Sequence, residues 1–139
     1  MGKVIVSVRI DNVEDLYQVK RGVLAANATR SLEIPDALVD TGATGLSIPR
    51  SLIERLGLDL LRTRKARTSA GPVELRVFGT VRLTIQGRDC PCDVTELPDD
   101  HAVQIGRVIL HMLDFVVDPG GQRLIGNPAH GGEHIIELY

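Results

Sequence analysis

The residues with the strongest chemical character lie in Ala37-Leu38-Val39-Asp40-Thr41-Gly42-Ala43-Thr44-Gly45-Leu46-Ser47-Ile48-Pro49. An apolar run reaches an aspartate, followed at once by a small hydroxyl residue and a glycine. An acid at the end of a buried strand is costly unless hydrogen bonds or chemistry account for it. Two readings are open for Asp40. It is a strand-end aspartate accepting hydrogen bonds from the Thr41-Gly42 turn, or a carboxylate held for acid–base work. Other groups carry weaker signals. Asp99-Asp100-His101 reads as a turn. His130-Gly131-Gly132-Glu133-His134 offers three metal-ligand side chains, but its glycines oppose the helix that would set both histidines on one face, so it reads as a surface loop. Cys90 and Cys92, two apart on a strand, share a face. They are too few for a structural zinc site and read as reduced thiols. Ser47 lacks a Gly-x-Ser-x-Gly setting, and no phosphate-binding glycine loop of useful spacing is present.

The elements that must position these groups follow from periodicity. Lys3 to Ile10 alternates and reads as a strand, broken by Asp11-Asn12, either of which can cap a helix near residues 13–24. Leu32-Glu33-Ile34 resumes the alternation until Pro35, and Ala37-Leu38-Val39 is a short buried strand delivering Asp40. Leu46 and Ile48 continue extended, then Pro49 opens a helix over Ser51–Leu56 that Gly57 stops. Residues 62–78 form one β-hairpin with its tip at Gly71, marked by Ser69-Ala70-Gly71-Pro72. Its basic residues (Arg62, Arg64, Lys65, Arg67) read as a solvated face rather than a binding strip. Gly79 allows a bend before a strand at 81–85, and another strand holds Cys92, Val94 and Glu96. Ala102–Gly106 is a second short buried strand, followed by helical spacing from Val108 to Val117. Asp118–Gly121 turns the chain, and Leu124–Gly126 is a short strand. The apolar end Ile135–Tyr139 is expected to pair with something. The apolar-strand, glycine, helix sequence therefore occurs twice, but only the first copy carries an acid.

Composition narrows the classes. A chain of 139 residues with 43% hydrophobic residues suits one domain. Only 3% of residues are aromatic, which disfavours recognition by stacking on bases. A formal net charge of -2 supplies no bulk attraction to nucleic acid or to anionic membrane. The apolar runs fall short of the roughly 20 residues that a membrane helix needs. The N-terminal residues lack an adequate signal-peptide apolar segment. The expectation is a soluble, cytoplasmic protein without nucleic-acid or membrane partners.

Asp-Thr-Gly, the Ala-Thr-Gly-Leu-Ser-Ile-Pro that follows, a glycine-tipped hairpin and a downstream apolar-Gly-Arg-helix unit together resemble the retropepsin-like aspartic proteases in a single-domain bacterial-type form. The resemblance covers about residues 32–126. It implies a mostly β acid-protease fold of closed, barrel-like sheets with short helices, in one domain over 1–139. Residues 1–31 would be an N-terminal strand-and-helix embellishment and 127–139 a C-terminal strand. It implies an endopeptidase in which water is activated between two Asp40 carboxylates of a homodimer, with no metal or cofactor. Thr41 would bond across the two-fold, and Gly42 would let backbone approach the paired acids. Ala43, Thr44, Ala70, Gly71 and Pro72 would contact the peptide or protein substrate, the last three in a flap. Ile105, Gly106 and Arg107 would brace the catalytic loop, and the terminal strands would form a dimer sheet. Thr44 stands where retroviral members carry an acid, which leaves Arg107 without its usual partner. The alternative implied is a catalytically silent peptide-binding or assembly module of the same fold.

Overall fold

The computed structural model describes residues 3–118 and 120–138. Alternation dictates the first strand, β1 (Val4–Asn12), where Val4, Val6, Val8 and Ile10 are buried while Ile5, Ser7 and Arg9 face outward. Helix α1 (Val13–Lys20) is capped by Asn12, whose side chain accepts the Asp15 amide. It ends four residues before the expected limit. β2 (Ser31–Val39) runs without a break through Pro35. That exposed proline is tolerated because β1 slips its register opposite this region, between Val6 and Val8.

Next come β3 (Leu46–Pro49) and α2 (Arg50–Leu56), the latter closed by Gly57 at φ 64°. β4 (Asp59–Thr68) and β5 (Gly71–Ile85) form the hairpin, longer than 62–78 at both ends, with Ser69-Ala70 at its tip. β5 continues through Gly79 with a local register shift, so the separate strand expected at 81–85 is its second half. β6 (Arg88–Leu97), β7 (Gln104–Ile105), α3 (Arg107–Met112), β8 (Phe115–Asp118) and β9 (Arg123–Gly126) complete the elements.

Two expectations are corrected. The helical spacing from Val108 to Val117 contains a helix only to Met112. Asp114 then takes φ 58°, and Phe115–Asp118 turns back as a strand against β9. The C-terminal strand is absent among the described residues. Residues 127–138 instead hold one 3-10 turn, Pro128–His130, and an irregular exposed stretch. Met1, Gly2, Tyr139 and Pro119 of the expected turn lie outside the described residues.

The main sheet has the order β1-β2-β7-β3-β6-β5-β4, and β1 also pairs with β5. Six strands thus close a barrel, and β4 extends beyond it on β5. β1 pairs with β2 over Val4–Asp11 and, on its other edge, with β5 over Arg9–Asn12 only. The mostly β, single-domain, barrel-like fold is the one expected. Its core includes Ile10, Leu46, Ile48, Val81, Leu83, Ile85, Val94 and Ile105, all at most 1% exposed. Each such side chain contributes about 1.5–3 kcal/mol by leaving water.

A buried polar knot ties the barrel seam. Asp11, 1% exposed, accepts hydrogen bonds from Arg9, Ser31 and Arg82, joining β1, β2 and β5. Burial pushes its carboxyl up. The hydrogen bonds from Ser31 and Arg82 and the charges of both arginines outweigh that and hold it below the ordinary value. Asn12 links the embellishment to the rest, because its amide also donates to the Leu56 carbonyl at 2.7 Å at the end of α2.

Candidate active site

The two strand-glycine-helix copies lie side by side. β2 and β7 pair in parallel, with Leu38 opposite Gln104 and Val39 opposite Ile105. The Asp40 amide continues this pairing by donating to the Ile105 carbonyl at 2.9 Å. Beyond Asp40 the chain turns, and the Ala43 amide closes on the Asp40 carbonyl at 3.0 Å. The Gly42 amide donates to Asp40 Oδ1 at 3.0 Å, while Oδ2 receives no hydrogen bond from the described residues. Asp40 is half-buried, and Thr41, Gly42 and Thr44 are exposed. The loop is thus rigid at its base and open at its crest.

Gly106 supplies the brace. Its amide donates to the Gly45 carbonyl at 2.9 Å, and the next two amides, of Arg107 and Val108, donate to the Ala43 and Thr44 carbonyls at 3.0 Å each. A Cβ at Gly106 would lie 2.3 Å from the Thr44 carbonyl carbon, so only glycine allows this backbone approach. The Arg107 side chain is exposed and forms no ion pair among the described residues. Ile105 is fully buried behind the loop.

The structure therefore brings Asp40, Thr41, Gly42, Ala43 and Thr44 together with Ile105, Gly106 and Arg107. It does not join Ala70, Gly71 and Pro72 to them: no hydrogen bond among the described residues links the hairpin tip to the Asp40 loop. Thr68 closes that tip itself, its hydroxyl donating to the Gly71 carbonyl at 2.9 Å and accepting the Ala70 amide at 3.2 Å. The hairpin strand β4 is almost wholly exposed, as a solvated basic face requires.

A family model described as aspartyl protease matches residues 31–129, most of the chain. The chain belongs to the aspartyl protease family. The match begins at the first residue of β2 and leaves β1 and α1 outside it. In this aspartyl protease chain the Asp-Thr-Gly loop follows β2 in the mostly β barrel. The solution structure of the simian foamy virus (mac) protease is similar at 22% identity, covering 58% of this chain and 84% of that chain with a TM-score of 0.46. No curated protein matches.

Two features escaped the sequence reading. Asp114 and His130 form a close pair, Oδ2 to Nδ1 at 2.6 Å, and Asp114 also accepts from Asn127 and from the Ile135 amide. His130 Nε2 lies 3.3 Å from Glu137, whereas His134 faces the Met112 carbonyl, so the two rings of the 130–134 stretch serve different partners. The pairing is a structural clasp on the C-terminal stretch. Asp114 takes a left-handed backbone inside an apolar run, and the sequence carries no signal of it. The second feature is Ser47. It lacks the setting of a nucleophile, yet it is the polar residue between buried Leu46 and Ile48, and strand alternation puts it on the face away from the core.

Proposed function

We propose that the chain is an aspartic endopeptidase that hydrolyses peptide bonds as a homodimer, with Asp40 of each copy contributing one carboxylate. The observation that carries this reading is the Asp40 loop itself: a half-buried acid with one oxygen fixed by Gly42 and the other without a partner among the described residues, on a base locked by Gly106. Hydrolysis without a metal needs one group to activate water and another to protonate the carbonyl oxygen. Two carboxyls held together share one proton, because like charges disfavour double ionisation, and so perform both tasks. One copy has a single such acid, so the reaction requires a two-fold. In this arrangement Thr41 bonds across the axis from its exposed position. Ala43 and Thr44 hold substrate main chain, and the β4–β5 hairpin closes over the peptide through Ala70, Gly71 and Pro72. The enzyme acts in the cytoplasm and needs no cofactor; no helix among the described residues is long and apolar enough to cross a membrane.

The second reading, a silent peptide-binding module, is favoured by one observation. β5 takes the second edge of β1 over Arg9–Asn12 and 135–138 form no strand, so the terminal dimer sheet that the resemblance implied lacks its C-terminal strand. The test is acid-pH cleavage of a peptide library by the wild-type protein and by Asp40→Asn. The protease reading expects cleavage lost in a folded variant. Equal cleavage by both would defeat it, and peptide binding without cleavage by either would favour the module.

A further inference from the structure

One row of strand partners crosses the sheet beside Asp40. Leu38 pairs with Gln104, Gln104 with Ser47, Ser47 with Thr95, and Thr95 with Val77. Residues directly opposite across neighbouring strands share a face and sit about 5 Å apart. The adjacent row is Val39, Ile105, Leu46, Val94 and Phe78, all buried. Gln104, Ser47 and Thr95 therefore lie on the face opposite the core. Asp40 follows Leu38 by two residues at the end of β2, so its side chain emerges on that same face.

All three polar residues are half-buried. None of their side chains has a hydrogen-bond partner among the described residues. Their neighbour on the same face, Asp93, behaves differently: Arg62 reaches it at 2.9 Å and the Thr80 hydroxyl at 3.3 Å. The fold satisfies that acid and leaves the amide and two hydroxyls of this row without a partner among the described residues.

We propose that Gln104, Ser47 and Thr95 form a hydrogen-bonding floor beside Asp40 that selects peptides with an amide or hydroxyl side chain (Asn, Gln, Ser or Thr) next to the bond to be cut. The selection rests on the endopeptidase reading given above. An apolar side chain seated there would strip water from three polar groups and return nothing, whereas a polar one replaces that water. Sites built to hydrogen-bond a substrate group reject analogues lacking it far more strongly than apolar pockets reject an extra methylene.

The test uses otherwise identical peptides carrying Gln, Thr, Leu or Phe at the variable position. Cleavage is followed with the wild-type protein, and binding with Asp40→Asn, which separates selection from chemistry. The Gln and Thr peptides should lead the Leu and Phe peptides by about tenfold or more in both readouts. Thr95→Val, nearly isosteric, and Gln104→Leu should each shrink that preference several-fold, with folding checked by circular dichroism. Equal or better use of Leu and Phe, or a preference unmoved by both substitutions, would overturn the floor while leaving the protease reading intact. Polar-selective binding without wild-type cleavage would support the floor and defeat the protease reading. A protein that neither binds nor cuts any of these peptides would overturn both.

Discussion

At Gly106 the place of a side chain is taken by the backbone of Thr44 and Ala43, with atoms at 2.3 and 2.7 Å from where a Cβ would stand. Its φ is -89°, so the constraint is space and not conformation. Gly106→Ala must therefore push the Asp40 loop away, at about 1–3 kcal/mol of overpacking. Urea unfolding should register that loss, and activity should fall further than stability because the displaced part is the loop. Asp40→Asn keeps the shape and can still accept the Gly42 amide, so its melting temperature should stay close to wild type. Its kcat should drop by about 10²–10⁴-fold, the usual weight of one acid–base group. Asp40 and Gly106 were legible in the sequence because each follows a short apolar run and neither residue type belongs inside a buried strand without a reason. Ser47 was not, because its meaning comes from Gln104 and Thr95, which lie beside it only once strand register is known.

Among the elements, α1 and α2 meet through Asn12, which caps one and binds the last carbonyl of the other. Asn12→Ala removes a cap and leaves the buried Leu56 carbonyl unpaired, so it should cost about 2 kcal/mol by chemical denaturation. Asn12→Asp, which keeps the acceptor but not the donor, should behave as an intermediate or worse. The C-terminal stretch depends on the Asp114–His130 clasp. The His130 hydrogen bond is the chief cause that holds the Asp114 carboxyl down at about 2, against burial, with Ile135 and Asn127 helping. Reciprocally, the Asp114 hydrogen bond holds the His130 imidazole above its ordinary value, and Glu137 adds to this. The sign is set by both shifts. The carboxylate contribution is present above pH 3.8 and fades as pH falls toward 2. The imidazolium contribution is complete below pH 6.5 and fades as pH rises through the raised value. The stability difference between wild type and His130→Gln should therefore be widest near pH 5 and narrow by pH 9; a difference independent of pH would show that the clasp is not ionic. None of this was visible in the periodicity of 108–117. Val108, Ile109, Met112, Phe115 and Val116 fit a helix, and no glycine or proline warns that Asp114 will leave it.

For the whole molecule, barrel closure decides what remains for assembly. The β1–β5 pairing over Arg9–Asn12 consumes part of an edge that the sequence alone left free, since alternation reports which face is buried and says nothing of which strands are neighbours. Other surfaces stand available for association, among them the exposed crest of the Asp40 loop and the apolar Ile135, Ile136 and Leu138, which are 41%, 65% and 74% exposed. A homodimer with weak contacts should show specific activity that rises with protein concentration, tracking the dimer fraction seen by sedimentation. The most direct test of the paired-acid account joins two copies in one polypeptide through a flexible linker, then compares cleavage by the wild-type pair with that of a pair carrying Asp40→Asn in one copy only. The account predicts that the single substitution lowers kcat by about 100-fold or more, because one carboxylate cannot both activate water and protonate the carbonyl. A mixed pair that keeps about half of the wild-type kcat would mean that each Asp40 works alone, and would contradict it.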